Sequence, residues 1–269
     1  MDLLDAIILG IVQGLTEFLP VSSSGHLVFF QRLLGVDEAS VLTVSIALHV
    51  ATLLAVLVFY WRKILDMIKH PFSKLPMQIV AATIPAVLLT VLFGDLIEST
   101  YTNPLVLGPG FIFTGFALYF SEKIGNGRKG LKELKTSDSL IIGSAQGIAL
   151  LPAVSRSGMT ITSSLALGLD RSFAADFSFL MSIPPILGGA LLDGVDYLKG
   201  NTASIESVGV VNLLAGMAAA GITGFLAIKL MLAAVKKMKL KYFSYYVWAL
   251  GALIIIAQLF FRDSLSWLL

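Results

Sequence analysis

The stretch Gln13-Gly14-Leu15-Thr16-Glu17-Phe18-Leu19-Pro20-Val21-Ser22-Ser23-Ser24-Gly25-His26 interrupts an apolar run that extends approximately from Leu4 to Leu34. It sets a carboxylate, a proline, three serines and an imidazole where a membrane helix would be uniformly apolar. Proline removes a backbone N–H and serine offers the chain competing hydrogen bonds, so the run reads as two short helices joined at a polar tip. Each limb falls short of the roughly 20 apolar residues that a hydrocarbon core about 30 Å thick requires. Irregular backbone at membrane depth survives only where protein or a wet cavity surrounds it, which makes this a re-entrant hairpin with its tip inside the protein. A second run, approximately Leu140–Leu169, is broken in the same way.

Composition agrees with a bilayer setting. Of the 269 residues 57% are hydrophobic and 13% charged, and the mean hydropathy is +0.88. So little charge cannot cover a water-facing surface, which excludes a nucleic-acid binder, a disordered chain and a secreted disulfide scaffold. Cysteine is absent, and with it disulfides, thiolate catalysis and thiolate metal sites. No secretory leader is expected, because Met1-Asp2-Leu3-Leu4-Asp5 lacks a basic opening. Six stretches are long and apolar enough to span: approximately Val44–Trp61, Gln78–Phe93, Pro104–Phe120, Phe173–Leu192, Gly209–Val235 and Phe243–Phe261. The expected fold is an all-α polytopic membrane protein, a single domain over 1–269 with six transmembrane helices and two re-entrant hairpins.

Loop charge sets the orientation. Thirteen of the 19 Lys and Arg residues fall in three loops, Arg62, Lys63, Lys69 and Lys74, then Lys123, Arg128, Lys129, Lys132 and Lys135, then Lys236, Lys237, Lys239 and Lys241. These are expected to be cytoplasmic. The alternate connections carry Asp37, Glu38, Asp95, Glu98, Asp193, Asp196 and Glu206, with Lys199 as their basic residue, and are expected outside along with both termini.

The hairpins resemble one another. Gln13-Gly14 leads through Pro20 to Ser22-Ser23-Ser24-Gly25, and Gln146-Gly147 leads through Pro152 to Ser155-Arg156-Ser157-Gly158, an offset of 133 residues with the proline displaced by one. This suggests a duplicated unit of one hairpin and three spans, repeat 1 about 1–133 and repeat 2 about 134–269. Three spans being odd, the second copy is inverted, and the tips are expected to meet near the midplane.

Gln13 and Glu17 stand four apart and share a helical face with Gly10 and Gly14. A carboxylate in lipid is costly, so Glu17 belongs to a wet or protein-lined cavity, whereas Gly10 and Gly14 read as helix-packing positions. Ser22, Ser23 and Ser24 open the next helix, where hydroxyls cap backbone N–H groups and anions bind. His26, one turn on, is within reach of a serine hydroxyl as a base or is itself a nucleophile. In the second hairpin Arg156, flanked by Ser155 and Ser157 and followed one turn later by Thr160, suits phosphate, because a planar guanidinium matches its oxygens. The bland reading of the charges is an Arg156–Glu17 ion pair holding the hairpins together. His49 reads as a packing histidine or a cavity residue, His70 as solvated, Asp176 as a helix cap or a partner of Arg171, and Lys229 as snorkelling. Two function classes fit these residues: an enzyme hydrolysing a phosphate ester or anhydride on a lipid, or a transporter or flippase carrying an anion or phosphorylated lipid through the same site.

The stretches Gln13–His26 and Leu151–Thr160 (LPAVSRSGMT), with Ile84-Pro85-Ala86 in a middle span, closely resemble the signature regions of the undecaprenyl-diphosphate phosphatases, the BacA family linked to bacitracin resistance. The resemblance covers essentially the whole chain. It implies a multi-pass enzyme of the bacterial plasma membrane, with its site opening to the periplasm, that converts undecaprenyl diphosphate to undecaprenyl phosphate for cell-wall synthesis. It implies a polyprenyl diphosphate substrate, membrane lipids as surroundings, no nucleic acid, and an assembly that admits a homodimer. By position Glu17, Ser23, His26 and Arg156 match catalytic residues, Ser155, Arg156 and Thr160 the phosphate-binding positions, with Gln13, Ser22, Ser24 and Ser157 expected to bind substrate beside them. A divalent cation, Mg2+ or Ca2+, is also implied, with Glu17 as its ligand. Here the chain departs from the pattern. The family often has glutamate where Gln13 stands, and losing one carboxylate weakens the expectation of a metal.

Overall fold

The computed structural model describes residues 1–124, 127–198, 208–237 and 239–260. Lys199, Glu206 and Phe261 lie outside them. The helices in chain order are α1 (Leu3–Phe18), α2 (Ser23–Leu33), α3 (Glu38–Phe59), α4 (Trp61–Lys69), α5 (Lys74–Thr102), α6 (Leu107–Ser121), α7 (Thr136–Ile148), α8 (Arg156–Ala166), α9 (Arg171–Leu180), α10 (Ile183–Leu198), α11 (Val210–Lys236) and α12 (Leu240–Phe260). Among the described residues five helical stretches are long and apolar enough to cross a membrane. The chain is an all-α, multi-pass membrane protein.

The two interrupted runs form the two hairpins. Their limbs hold 16, 11, 13 and 11 residues. At 1.5 Å per residue the longest reaches about 24 Å, short of the hydrocarbon thickness. Sixteen residues of α1 end where Pro20 prevents continuation, and Leu19 is already extended.

Two expected spans differ from the sequence reading. The stretch Phe173–Leu192 is not one helix: it stops at Leu180 and restarts at Ile183. Pro184 and Pro185 lack the N–H groups that would continue the ladder, but they fit the first turn of a new helix, where those groups have no partner. Ser182 Oγ donates to the Phe179 carbonyl at 2.7 Å and closes the first segment. The stretch Pro104–Phe120 begins with a 3-10 turn over Pro104–Val106, leaving 15 residues of α-helix in α6. A third departure is α4, an extra helix in the first basic loop that buries none of its residues. Trp61, Leu65 and Ile68 are exposed apolar side chains on it.

The packing pairs the elements crosswise. α1 lies against α11, α7 against α5, α6 against α12, and α3 against both α10 and α11. Small residues permit the first two approaches at matching positions. A Cβ on Gly10 would meet the Gly216 carbonyl oxygen at 2.2 Å, and one on Gly143 would meet that of Ala82 at 2.1 Å. Gly14 and Gly147 repeat the arrangement one turn on, against Thr223 and Leu89. The packing role read for Gly10 and Gly14 is what the backbone distances require. The largest buried cluster takes Phe18, Val56, Ile79, Ile142, Phe177 and Met231 from both halves of the chain.

The three basic segments gather at one end. Lys74 Nζ donates to the Lys132 carbonyl at 2.6 Å, and the Leu240 N–H donates to Glu122 Oε1 at 2.7 Å. Asp176 lies inside α9 rather than at its start, and it accepts from Tyr60 Oη at 2.7 Å and Lys63 Nζ at 2.5 Å. His70 is exposed beside Asp66, and Lys229 lies with its ammonium 4.6 Å from the Phe225 ring centre.

Candidate active site

The two tips meet. Ser157 Oγ donates to the Leu19 carbonyl at 3.1 Å, and Gly25 faces Ala153 so closely that a Cβ there would lie 3.0 Å from its Cα and 2.6 Å from Phe111 Cζ. Both tips turn through a non-glycine residue in the left-handed region, Ser22 at φ 69° and Ala153 at φ 62°. That conformation costs an L-residue about 1–2 kcal/mol, and local hydrogen bonds offset it. Ser22 Oγ accepts from the Gly25 N–H at 3.4 Å and caps α2, as Ser155 Oγ accepts from the Gly158 N–H at 3.0 Å and caps α8. Thr114 on α6 clamps the second tip, donating to the Ala153 carbonyl at 3.1 Å while its oxygen accepts the Ser155 N–H at 3.0 Å.

Beside this junction opens a cleft of about 340 Å³, lined among others by Glu17, Ser22, Ser23, Ser24, His49, Tyr101, Ser155, Arg156 and Ser157. The first turns of α2 and α8 thus both face the cleft, and their unpaired N–H groups and dipoles favour an anion there. Glu17 is the hub. Its Oε1 takes Arg156 Nη2, and its Oε2 accepts from Ser23 Oγ at 2.5 Å and from Gln13 Nε2 at 3.0 Å. Arg156 keeps Nη1 without a partner among the described residues, although that atom is buried. The ion pair read as the bland alternative exists, and it sits inside the cleft.

Not every expected site residue reaches the cleft. His26 is 3% exposed and turns away from it. Its Nδ1 lies 2.7 Å from the Ser22 carbonyl, which can only accept, so Nδ1 donates and the neutral ring accepts at Nε2 from Tyr246 Oη at 2.7 Å. The ring stacks on Tyr246 and meets Phe111 edge-on. In this arrangement His26 touches no serine hydroxyl. Thr160 is buried outside the cleft as well, donating to the Arg156 carbonyl at 2.8 Å and lying 2.6 Å from Ser178 Oγ. Gln13 is buried beneath Glu17 and steadies it.

Tyr101 and a wall from α10 have no assignment from sequence, and His49 takes the cavity place that was one of its two readings. His49 lines the cleft with Nε2 3.6 Å from Glu17 Oε2 and Nδ1 2.7 Å from the Ser45 carbonyl. Tyr101 closes one side, donating to the Leu150 carbonyl at 3.1 Å. Pro185, Ile186, Gly189 and Ala190 of α10 form an apolar wall. A histidine inside a span was the one available signal.

The donor set does not make a cation site. Both Glu17 oxygens are engaged by donors, Gln13 turns its N–H toward the carboxylate rather than its oxygen toward the cleft, and no group of three His, Cys, Asp or Glu side chains stands together among the described residues. Hard divalent cations need several oxygen ligands, and these residues do not supply them.

A bundle of membrane helices that brings two capped helix starts and an Arg–Glu pair to one half-open cleft has the features of an intramembrane anion site. Residues 6–253 match the family described as Bacitracin resistance protein BacA, and the chain belongs to that family. It is 45% identical over 258 residues to Undecaprenyl-diphosphatase of Carboxydothermus hydrogenoformans, covering 96% of this chain and 98% of the relative. Undecaprenyl-diphosphatase 3 of Bacillus cereus is equally similar, at 45% with the same coverage. Undecaprenyl-diphosphatase of Halothermothrix orenii is 41% identical over 95% of this chain and 98% of its own length.

Proposed function

We propose that the protein is an intramembrane phosphatase that hydrolyses undecaprenyl diphosphate to undecaprenyl phosphate and inorganic phosphate, recycling the lipid carrier and thereby conferring bacitracin resistance. The observation that carries this reading is the Glu17 carboxylate, bonded at once to Arg156 and to the Ser23 hydroxyl where the starts of α2 and α8 converge. Anion transport has no evident need for a carboxylate that holds a serine hydroxyl.

The diphosphate seats its terminal phosphate against the N-terminal amides of α2 and α8 and the hydroxyls of Ser22, Ser23, Ser24, Ser155 and Ser157. Arg156 keeps Nη2 on Glu17 Oε1, brings Nη1 to phosphate, and stabilises the charge that builds in the transition state. Glu17 Oε2 then orients the attacking oxygen. Gln13 supports Glu17 from below. A divalent cation, were one to take part, would find Glu17 as its one carboxylate among the described cleft residues and would supply positive charge beside the phosphates.

The reading places the cleft toward the periplasm. Leu42 and Ser45, which line it, begin the helix whose far end leads into Trp61, Arg62 and Lys63, and Tyr101 lies at the opposite end of α5 from Lys74. Excess Lys and Arg mark the cytoplasmic side, so the cleft lies in the outer half. The crosswise packing of α1 on α11 and α7 on α5 supports an inverted duplication with halves near 1–133 and 134–269.

Purified protein in detergent decides between the classes. A phosphatase releases phosphate from a polyprenyl diphosphate without any membrane barrier. A transporter or flippase releases none and shows activity only in sealed vesicles.

A further inference from the structure

His26 and His49 differ in what their second ring nitrogen can do. In both, Nδ1 faces a backbone carbonyl four residues back at 2.7 Å, so Nδ1 carries a hydrogen, and in the neutral form of the ring Nε2 is the acceptor. In His26 that acceptor is filled by Tyr246 Oη. In His49 it faces the cleft and Glu17 Oε2, 3.6 Å away. With the ring neutral, neither atom has a hydrogen to give the other, and 3.6 Å is beyond a direct hydrogen bond in any case. They are well placed to share one small donor, and water has two hydrogens.

We propose that His49 is a catalytic residue, the base that with Glu17 holds the attacking water by both its protons. This rests on the phosphatase reading. As the diphosphate enters, the Ser23 hydroxyl turns from Glu17 Oε2 onto a phosphate oxygen, which vacates a lone pair for the water. One water hydrogen then points to Glu17 Oε2 and the other to His49 Nε2, leaving an oxygen lone pair aimed into the cleft. The water oxygen bonds to the terminal phosphorus, and the bond from that phosphorus to the bridging oxygen breaks. The polyprenyl phosphate departs with the electron pair, and the water proton passes to His49 Nε2. The side chain of His49 is 31% exposed and lines the cleft, through which the proton leaves.

Apart from the Glu17 carboxylate, which Arg156 and Gln13 hold by hydrogen bonds, no other base shares this position among the described residues. The charged or titratable groups sharing the cleft with His49 are Glu17, Arg156 and Tyr101. Arg156 is a donor, and the Tyr101 hydroxyl donates to Leu150. The α10 wall contributes no titratable group to the cleft. On α11 the charged Lys229 lies over Phe225, whose ring packs on Phe59 at the other end of α3.

The test compares purified wild type, His49→Ala and His49→Gln on a polyprenyl diphosphate in detergent. Removal of a general base is expected to lower kcat roughly 100-fold in both variants. KM should stay within about threefold, and melting temperatures should match wild type. Added imidazole should restore turnover to His49→Ala, which has room for it, and leave His49→Gln unchanged. Transfer to labelled water should invert configuration at phosphorus. Wild-type kcat in either variant, no imidazole rescue of folded His49→Ala, or retention at phosphorus overturns the assignment. If wild-type protein releases no phosphate, the phosphatase reading fails and His49 falls with it.

Discussion

Glu17 and Arg156, 139 residues apart in the chain, form an ion pair across the junction of two hairpins. Their side chains are 4% and 21% exposed, so neither charge faces lipid unpartnered. A charge buried alone would cost several kcal/mol, and pairing offsets that cost while both side chains wait at the cleft. The pair is therefore a resting arrangement in which the phosphate-binding group and the carboxylate are each held ready by the other.

Arg156→Lys keeps the positive charge and loses the planar fork that serves Glu17 with one nitrogen and phosphate with the other. We expect kcat/KM to fall about 100-fold, with normal extraction and melting in detergent, a loss of transition-state stabilisation near 3 kcal/mol. Steady-state kinetics of the purified variant checks this, and turnover equal to wild type rules out the phosphate clamp.

Gln13→Glu places a second carboxylate beside Glu17, where Gln13 Nε2 now donates at 3.0 Å. Two carboxylates and one arginine leave a net negative cleft that attracts a cation. The variant should bind Mn2+ without substrate, seen by paramagnetic resonance, and should need less Mg2+ or Ca2+ for activity. Unchanged cation binding would mean that the departure at this position has no bearing on metal.

Tyr246→Phe removes the hydroxyl that fills His26 Nε2 at 2.7 Å. Leaving a buried acceptor unpaired costs about 1–3 kcal/mol. The melting temperature should drop, with turnover of the folded fraction within about tenfold of wild type, because His26 does not face the cleft. A collapse of kcat at unchanged stability would return His26 to the chemistry.

Gly143→Val forces a side chain into the 2.1 Å gap that a Cβ would have to the Ala82 carbonyl. Overpacking of this kind costs about 1–3 kcal/mol or more, and here the obstruction is backbone that cannot rotate away. The α7–α5 contact should open, lowering thermal stability in detergent. A variant as stable as wild type would show that the two helices are free to separate.

Much of this architecture is legible in the residues. Pro20 and Pro152 with their serines mark the hairpin tips, and the 133-residue offset reappears as Gly10 and Gly143 pressed against matching helices. The Glu17–Arg156 relation is readable too, because a membrane offers lone charges so few partners. What escapes is direction. His26 and His49 are each an imidazole in an apolar helix, and only Tyr246, 220 residues from His26, decides which ring is occupied and which is open. The split between α9 and α10 was written in Pro184 and Pro185, but hydropathy averages over them. The α4 helix escaped because its charges mark a loop while its exposed Trp61, Leu65 and Ile68 suit the water–lipid boundary.

The crosswise packing has a consequence for how the protein is made. The first hairpin leans on α11, which the ribosome finishes some two hundred residues later. Glu17 waits 139 residues for Arg156, and α1 waits longer still for the helix that takes Gly10 and Gly14. The opening hairpin must wait, shallow or sheltered, and take its depth only when the final helices arrive, so that the N-terminal half cut loose is a chain with a charge and nowhere to put it.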